Sequence, residues 1–431
     1  MILYGYRINF DALLARIVYR WWAPLLLLLI SALLLIALAT DTIPRFWQEP
    51  ADLRVIADSA TVISVDGREW PRPIYAGRHT ISATASDGRS AWADIQLRSG
   101  EVLTITMPHG LAPPQVRPIP PAAPGMQIDS VWPVASGWRA TYLPQPPDTP
   151  GLPTPTIGGG QTIAINAWSM ERLTTIDAYA GRADQLSVGE QIFEAIYRPS
   201  QRQLEDEGIL EIRGWQPVPL QIPLTQAPNL VRFAPDGTTL LISEPIAGGE
   251  QVSAITPDDR VPLVAVPGRA VRLTWQPQGD GVVVHSIADQ RLSLTLVRLR
   301  SSIAVVTIAE YPADTAAGAL VPLTWRDNTL LWVAPDDRGV SLLWQAELHL
   351  PIPERLTPLE ALALAPLPEG ALRVARLQGA TIEIGRLVQG IVIGETRLSD
   401  IPLTADLSGF WHGSELLLQG GGRAWLVSID T

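Results

Sequence analysis

The hydrophobic pattern of the first forty residues differs from that of the rest of the chain. Residues 21–40 form an uncharged apolar run, WWAPLLLLLISALLLIALAT. Twenty such residues match the length of a helix that crosses the ~30 Å hydrocarbon core of a bilayer. Trp21 and Trp22 stand at its start, where tryptophan favours the membrane interface. The pattern therefore predicts one transmembrane helix over residues 21–40.

The charges before this run predict its orientation. Residues 1–20 carry three arginines and one aspartate, and the positive-inside rule assigns such a flank to the cytoplasm. We therefore expect a single-pass cell-membrane protein with a signal-anchor, residues 1–20 in the cytoplasm and the bulk of the chain extracytoplasmic. The alternative is a cleaved signal peptide, because Ala37, Leu38 and Ala39 offer a small-residue cleavage site.

Short alternating stretches separated by turn signals follow in residues 51–108. Thr61–Val65 leads into Asp66-Gly67, a dipeptide typical of two-residue β-hairpins. Apolar and polar residues alternate in several of the later stretches, as half-buried antiparallel strands require. This range predicts a small β-sandwich.

The same stretch resembles the PEGA family of small β-sandwich modules found in bacterial envelope and surface proteins. The resemblance rests on the order VDG, AGRHTISA, SDGR and SGEVLTITMP, and on Gly77-Arg78-His79 before a strand. It implies a spacer or adhesion unit and no chemistry. Residues 109–125 are rich in proline, a composition typical of a semi-rigid polyproline linker.

From residue 230 onward the chain repeats itself. The bulky residues Phe233, Trp275, Trp325 and Trp411 recur at intervals of 42, 50 and 86 residues, the last close to two units. A period of about 40–50 residues with four strands per unit is the signature of a β-propeller. We therefore predict a propeller over residues 126–431, with seven blades or, alternatively, six. The final unit has only three strands of its own, so we expect a strand near 126–134 to complete it.

Two of the repeats resemble TolB-like and WD-repeat propellers. FAPDGTTLLIS and LTWQPQGDGVVVHS contain the aromatic residue, turn and strand that recur in each blade of those families. The resemblance implies a platform for protein or ligand binding. The overall expectation is a mainly β chain with one N-terminal transmembrane helix, a small β-sandwich and a β-propeller.

Composition narrows the possible chemistry. The chain has no cysteine, and all 32 basic residues are arginine, so a thiolate nucleophile, a Schiff-base lysine and a P-loop lysine are excluded. Residues 1–40 have a net charge of +2. Because the whole chain has a net charge of −11, residues 41–431 have a net charge of −13. Such an acidic domain is poorly suited to bind phosphate backbones, and we expect no nucleic-acid partner.

No local motif indicates a reaction. The five histidines are far apart in sequence, and no G-x-S-x-G occurs. The pairs Asp258-Asp259 and Asp336-Asp337 lack the spacing of a calcium loop, and turn capping explains them better. The sequence therefore indicates no catalytic, cofactor-binding or metal-binding residue, and no cofactor.

Tryptophan is unusually frequent, with fifteen in the chain. Most recur at blade positions, where packing accounts for them. Trp132 and Trp138 lie beside proline-rich loops, and they are the candidate binding residues.

These observations favour a non-enzymatic, membrane-anchored scaffold that presents a propeller to protein partners in the cell envelope. The alternative is a module that binds a cell-envelope glycan or another small ligand. An enzyme with its site in the propeller channel is the least favoured hypothesis, because no acid–base or nucleophile constellation is visible.

Overall fold

The computed structural model describes most of the chain from residue 49 onward. The described residues are 24, 26–32, 49–57, 61–71, 73–120, 126–134, 137–144, 161–165, 172–176, 183–200, 207–299, 303–312, 321–404 and 407–429. Contacts divide the chain into two compact units. The first comprises residues 1–88 and 92–108, and the second comprises residues 89–91 and 109–431.

The predicted transmembrane helix is not supported. Within residues 21–40 the structure describes residues 24 and 26–32, which are helical. No helix among the described residues is long and apolar enough to cross a bilayer. The single-pass anchor and the cell-membrane localisation drawn from it are therefore corrected. Residues 1–20 and the possible cleavage site at 37–39 lie outside the described residues.

The first unit contains two small sheets. Strands β1 (Asp52–Ile56) and β6 (Val102–Thr106) pair in parallel, with Asp52 opposite Val102. The second sheet has the order β3-β2-β4-β5, formed by β2 (Val62–Val65), β3 (Arg68–Glu69), β4 (Gly77–Thr84) and β5 (Ser90–Leu97). The predicted hairpin at Asp66-Gly67 is confirmed, since both residues have positive φ and Val65 pairs with Arg68.

The second unit is a β-propeller, and five of its sheets have the simplest arrangement. Among the described residues, these five are separate antiparallel sheets of four consecutive strands. Their strands are as follows: sheet 1, β8 (Met126–Val134), β9 (Gly137–Pro144), β10 (Gln161–Ile165) and β11 (Arg172–Ile176); sheet 2, β12 (Ala183–Val188), β13 (Gln191–Pro199), β14 (Gly208–Arg213) and β15 (Leu220–Leu224); sheet 3, β16 (Leu230–Phe233), β17 (Leu240–Ile246), β18 (Gly249–Ile255) and β19 (Arg260–Pro267); sheet 4, β20 (Arg269–Trp275), β21 (Gly281–Ala288), β22 (Arg291–Arg298) and β23 (Ala304–Pro312); sheet 5, β24 (Leu323–Arg326), β25 (Thr329–Pro335), β26 (Ser341–Glu347) and β27 (Glu354–Pro358).

The last two groups of strands depart from this arrangement. Strands β28 (Ala363–Pro366), β29 (Leu372–Gln378), β30 (Thr381–Val388) and β31 (Ile391–Leu398) pair in order as sheet 6, with a short 3-10 helix at Pro368–Gly370, but they are part of a larger sheet. Sheet 7 consists of β32 (Ser408–His412), β33 (Glu415–Gly420), β34 (Arg423–Ser428) and β7 (Gln115–Pro118). The predicted blade count of seven or six is thus corrected to five, where a blade is a separate sheet of four consecutive strands among the described residues.

Sheet 7 is completed by β7, a strand from the start of the second unit. β7 pairs antiparallel with β34, with Val116 opposite Val427. The borrowed strand was expected near 126–134, and that location is wrong, because those residues form β8 of sheet 1. A strand that pairs with the last repeat removes an exposed sheet edge and ties the two ends of the unit together.

Apolar clusters join most neighbouring sheets of the ring, and backbone contacts between β8 and β12 join sheets 1 and 2. Phe233 packs between sheets 2 and 3, Trp325 between sheets 4 and 5, and Trp411 between sheets 6 and 7. These recurring aromatic residues therefore fill the space between adjacent sheets. Sheets 7 and 1 share a cluster of Ile119, Ile128, Trp138, Ala140, Leu417, Ala424 and Leu426. The first strand of most sheets contacts the first strand of the next, and β33 and β34 contact β8.

Candidate binding site in the propeller channel

The first strands of the sheets bring two arginines to the centre of the ring. On β16, Val231 and Phe233 are buried in the cluster between sheets 2 and 3, so Arg232, between them, projects from the other face of the strand. On β20, Leu273 is buried between sheets 3 and 4, and Arg272 projects away from it. Both arginines are half-buried.

Arg272 reaches across the channel. Its guanidinium carbon lies 4.5 Å from the centroid of the Phe410 ring, a cation–π distance. Arg272 belongs to sheet 4 and Phe410 to sheet 7, and neither sheet is a neighbour of the other in the ring. The contact therefore spans the central axis, and it defines the middle of the channel.

Arg272 brings a positive charge to this point. Among the described residues, no carboxylate forms an ion pair with Arg272. Burial, followed by repulsion from Arg232, lowers the pKa of Arg272 to about 10. The Arg232 guanidinium donates a hydrogen bond to the carbonyl of Val231 at 2.8 Å. Asp184, on β12, is the acidic side chain of a neighbouring first strand, and it accepts a hydrogen bond from the amide of Phe233 at 2.7 Å.

A buried histidine adjoins Arg272. His285 on β21 is the register partner of Arg272, so the two side chains lie on one face of sheet 4. The imidazole is fully buried, and neither ring nitrogen has a hydrogen-bond partner. Burial, together with the positive charge of Arg272, holds the pKa of His285 well below its usual value. The ring is therefore neutral at neutral pH.

Thr274 adds a hydroxyl to the same face. It follows Arg272 by two residues on β20, and its buried Oγ1 has no hydrogen-bond partner. The site thus combines guanidinium, imidazole and hydroxyl groups with one aromatic face. Guanidinium groups form paired, charge-assisted hydrogen bonds with carboxylate, phosphate or sulfate oxygens, so this arrangement can hold an oxyanion.

The two tryptophans predicted as binding residues lie in sheet 1. Trp132 is on β8, and its side chain lies outside what the structure describes. Trp138, on β9, is only 1% exposed, and its indole nitrogen donates a hydrogen bond to Glu415 Oε2 at 2.8 Å. Its ring meets His412 edge-on, with centroids 5.7 Å apart. A binding role for Trp132 and Trp138 stays a prediction.

The sequence interpretation missed Arg232, Arg272 and His285. A usable signal was present, because LVRF and VRLTW each place an arginine inside a strand of apolar residues. Such an arginine is costly to bury without a partner or a ligand. The two arginines are forty residues apart, however, and only the ring brings them together.

No family model matches this chain, and no curated protein matches it. Solved structures are similar to its fold. TolB from Acinetobacter baumannii is 11% identical, with a TM-score of 0.30, and the match covers 69% of this chain and 78% of that one. The propeller domain of the Trilobed protease from Pyrococcus furiosus is 9% identical, with a TM-score of 0.39, and the match covers 57% and 83%.

A puromycin-hydrolyzing peptidase from Mycobacterium tuberculosis is 16% identical, with a TM-score of 0.43. The match covers 72% of this chain and 53% of the peptidase, so the chain spans about half of that protein. Peptidases are thus among the similar structures, and the expectation that this chain is not an enzyme is corrected, since the comparisons leave no basis for excluding an activity. At these identities and TM-scores the likenesses carry no statement about activity, and the class defined by the sheets themselves is a β-propeller.

Proposed function

We propose that this protein is a ligand-binding β-propeller whose channel holds an oxyanion. The observation that carries the proposal is the Arg272 guanidinium, which lies at the channel centre beside Arg232 with no described carboxylate paired to it. Two like charges in an enclosed space repel each other and lose hydration. A bound oxyanion would offset both costs, with charge-assisted hydrogen bonds that contribute about 1.5–3 kcal/mol each.

The test is calorimetric titration of the purified chain, in chloride buffers, with sulfate and, separately, with acetate. We expect Arg272→Gln to weaken binding by at least about tenfold, or ~1.4 kcal/mol, because the amide keeps hydrogen-bonding groups but loses the charge. The matched control is Arg291→Gln, an exposed arginine of sheet 4 whose side chain is 62% accessible. The proposal fails if neither anion binds, or if both variants bind as the wild type does.

A second candidate function is a platform for a protein partner. Its support is a group of exposed apolar residues on the outer side of sheet 4, where Ile303, Val305 and Val306 are 48%, 41% and 38% exposed. β23 is the outer strand of that sheet, and an apolar edge strand is a place where another chain can add.

We expect Val305→Lys to abolish co-purification of a stoichiometric partner while Arg272→Gln leaves it intact, because a charge on the edge strand opposes pairing with another chain. The measurement is affinity purification of the three forms with quantitative mass spectrometry. Recovery of the same partner at the same ratio with Val305→Lys would contradict the platform.

For the first unit we propose a PEGA-like spacer module of bacterial type. The support is local: Gly77-Arg78-His79 opens β4, and Gly77 has a φ of 144°, a conformation that favours glycine.

A further inference from the structure

We infer that the channel binds an oxyanion and a proton together, with His285 as the group that takes up the proton. This inference rests on the proposed function, since it concerns the same site. It adds a regulatory property that follows from the placement of His285 beside Arg272 and from its unbonded ring nitrogens.

The geometry leaves His285 with two unused hydrogen-bonding atoms. Its cross-strand partners are Arg272 on β20 and Leu294 on β22. Leu294 belongs to the apolar cluster that His285 adjoins, together with Leu323 and Trp325 of sheet 5. Among the described residues, the charged groups that act on the imidazole are therefore Arg272, directly, and Arg232, through Arg272. No described acid contacts the ring.

The empty and occupied channels then favour different protonation states. Without an anion, a proton on His285 would place a second positive charge beside the Arg272 guanidinium, and the ring stays neutral. An oxyanion bound to Arg272 brings a negative charge close to His285 and so favours the protonated imidazolium. One N–H of the imidazolium can then donate a hydrogen bond to the anion. Each binding event takes up one anion and one proton from solvent, and no covalent bond breaks.

The affinity for a non-titrating anion should therefore depend on pH. Between the pKa values of His285 in the free and the bound states, one proton taken up per anion raises the affinity about tenfold for each pH unit of acidification. Sulfate is the suitable probe, because it does not titrate in this range. Sulfonate buffers are avoided because they are themselves oxyanions.

The experiment is calorimetric titration of the full chain with sulfate at about pH 5.5 and about pH 7.5. Bis-Tris and imidazole chloride, two cationic buffers of different ionisation enthalpy, give the number of protons taken up. We expect close to one proton per sulfate in the wild type and tighter binding at the lower pH. His285→Gln should remove the proton uptake and flatten the pH dependence while sulfate still binds. The matched control, His349→Gln, changes an exposed histidine and should behave as the wild type.

The outcomes separate the two proposals. If sulfate does not bind at either pH, the proposed function fails and this inference fails with it. If sulfate binds in an Arg272-dependent way without proton uptake, only this inference is overturned. Should His285→Gln not fold, proton NMR of the five histidines serves instead: sulfate must raise the pKa of His285, and an unchanged titration overturns the inference.

Discussion

At the scale of the residue, the neutral state of His285 couples folding to pH. The pKa of His285 in the folded chain lies well below the ordinary value of 6.5. Between these two pKa values the unfolded chain binds a proton at this residue and the folded chain does not. The stability that this group contributes is present above about pH 6.5 and is lost as the pH falls through the folded pKa. His412, whose pKa burial lowers against the opposing effect of Glu415, acts in the same sense. Glu395, whose pKa burial raises despite its ion pair with Arg386, acts in the opposite sense.

We expect the free energy of unfolding in sulfate-free buffer to fall by up to about 1.4 kcal/mol for each pH unit below about pH 6.5 through His285 alone. The measurement is urea unfolding of the wild type and of His285→Gln across that range, because their difference removes the effects of His412 and Glu395. His349→Gln is the control, and it should follow the wild type. Parallel stability curves for the wild type and His285→Gln would contradict the assignment.

At the scale of the element, local chemistry made the turns predictable. Asp336 Oδ1 accepts hydrogen bonds from the amides of Arg338 and Val340 at 2.9 and 3.0 Å, and Asp259 Oδ1 accepts one from the amide of Arg260 at 2.7 Å. These bonds confirm turn capping at both acidic pairs. His349 lies in the bend after β26 and is exposed, and Leu350 beside it is 65% exposed.

Pairing between distant strands was not predictable in the same way. Val116 lies in a proline-rich stretch whose composition favours an extended linker, and nothing local to it identifies β34 as its partner. The candidate site in the channel was equally unpredictable, since Arg232 and Arg272 come together only when two repeats lie side by side. Periodicity therefore predicted the propeller, whereas the closing strand and the candidate site depend on the number and order of sheets in the ring.

At the scale of the whole propeller, β7 makes the ring continuous. Its pairing with β34 is extended by the hydrogen bond from the Ile119 amide to the Ala424 carbonyl at 2.8 Å. The Arg117 guanidinium also donates a hydrogen bond to Ser428 Oγ at 2.8 Å. At the interface between sheets 7 and 1, the Ile128 amide of β8 donates a hydrogen bond to the Gly422 carbonyl at 2.9 Å. Loss of β7 should therefore loosen two sheets rather than one.

We expect Val116→Asp to lower the free energy of unfolding by about 1–3 kcal/mol, because it places a carboxylate against the half-buried apolar surface between sheets 6 and 7. Amide hydrogen exchange should accelerate in β34 and at Ile128 of sheet 1. The matched control is Val264→Asp, a half-buried valine on the outer strand of sheet 3, where faster exchange should stay within sheets 3 and 4. If Val116→Asp accelerates exchange only in β7 itself, the strand covers an edge without closing the ring, and the cooperativity of the propeller must come from the interfaces between sheets alone.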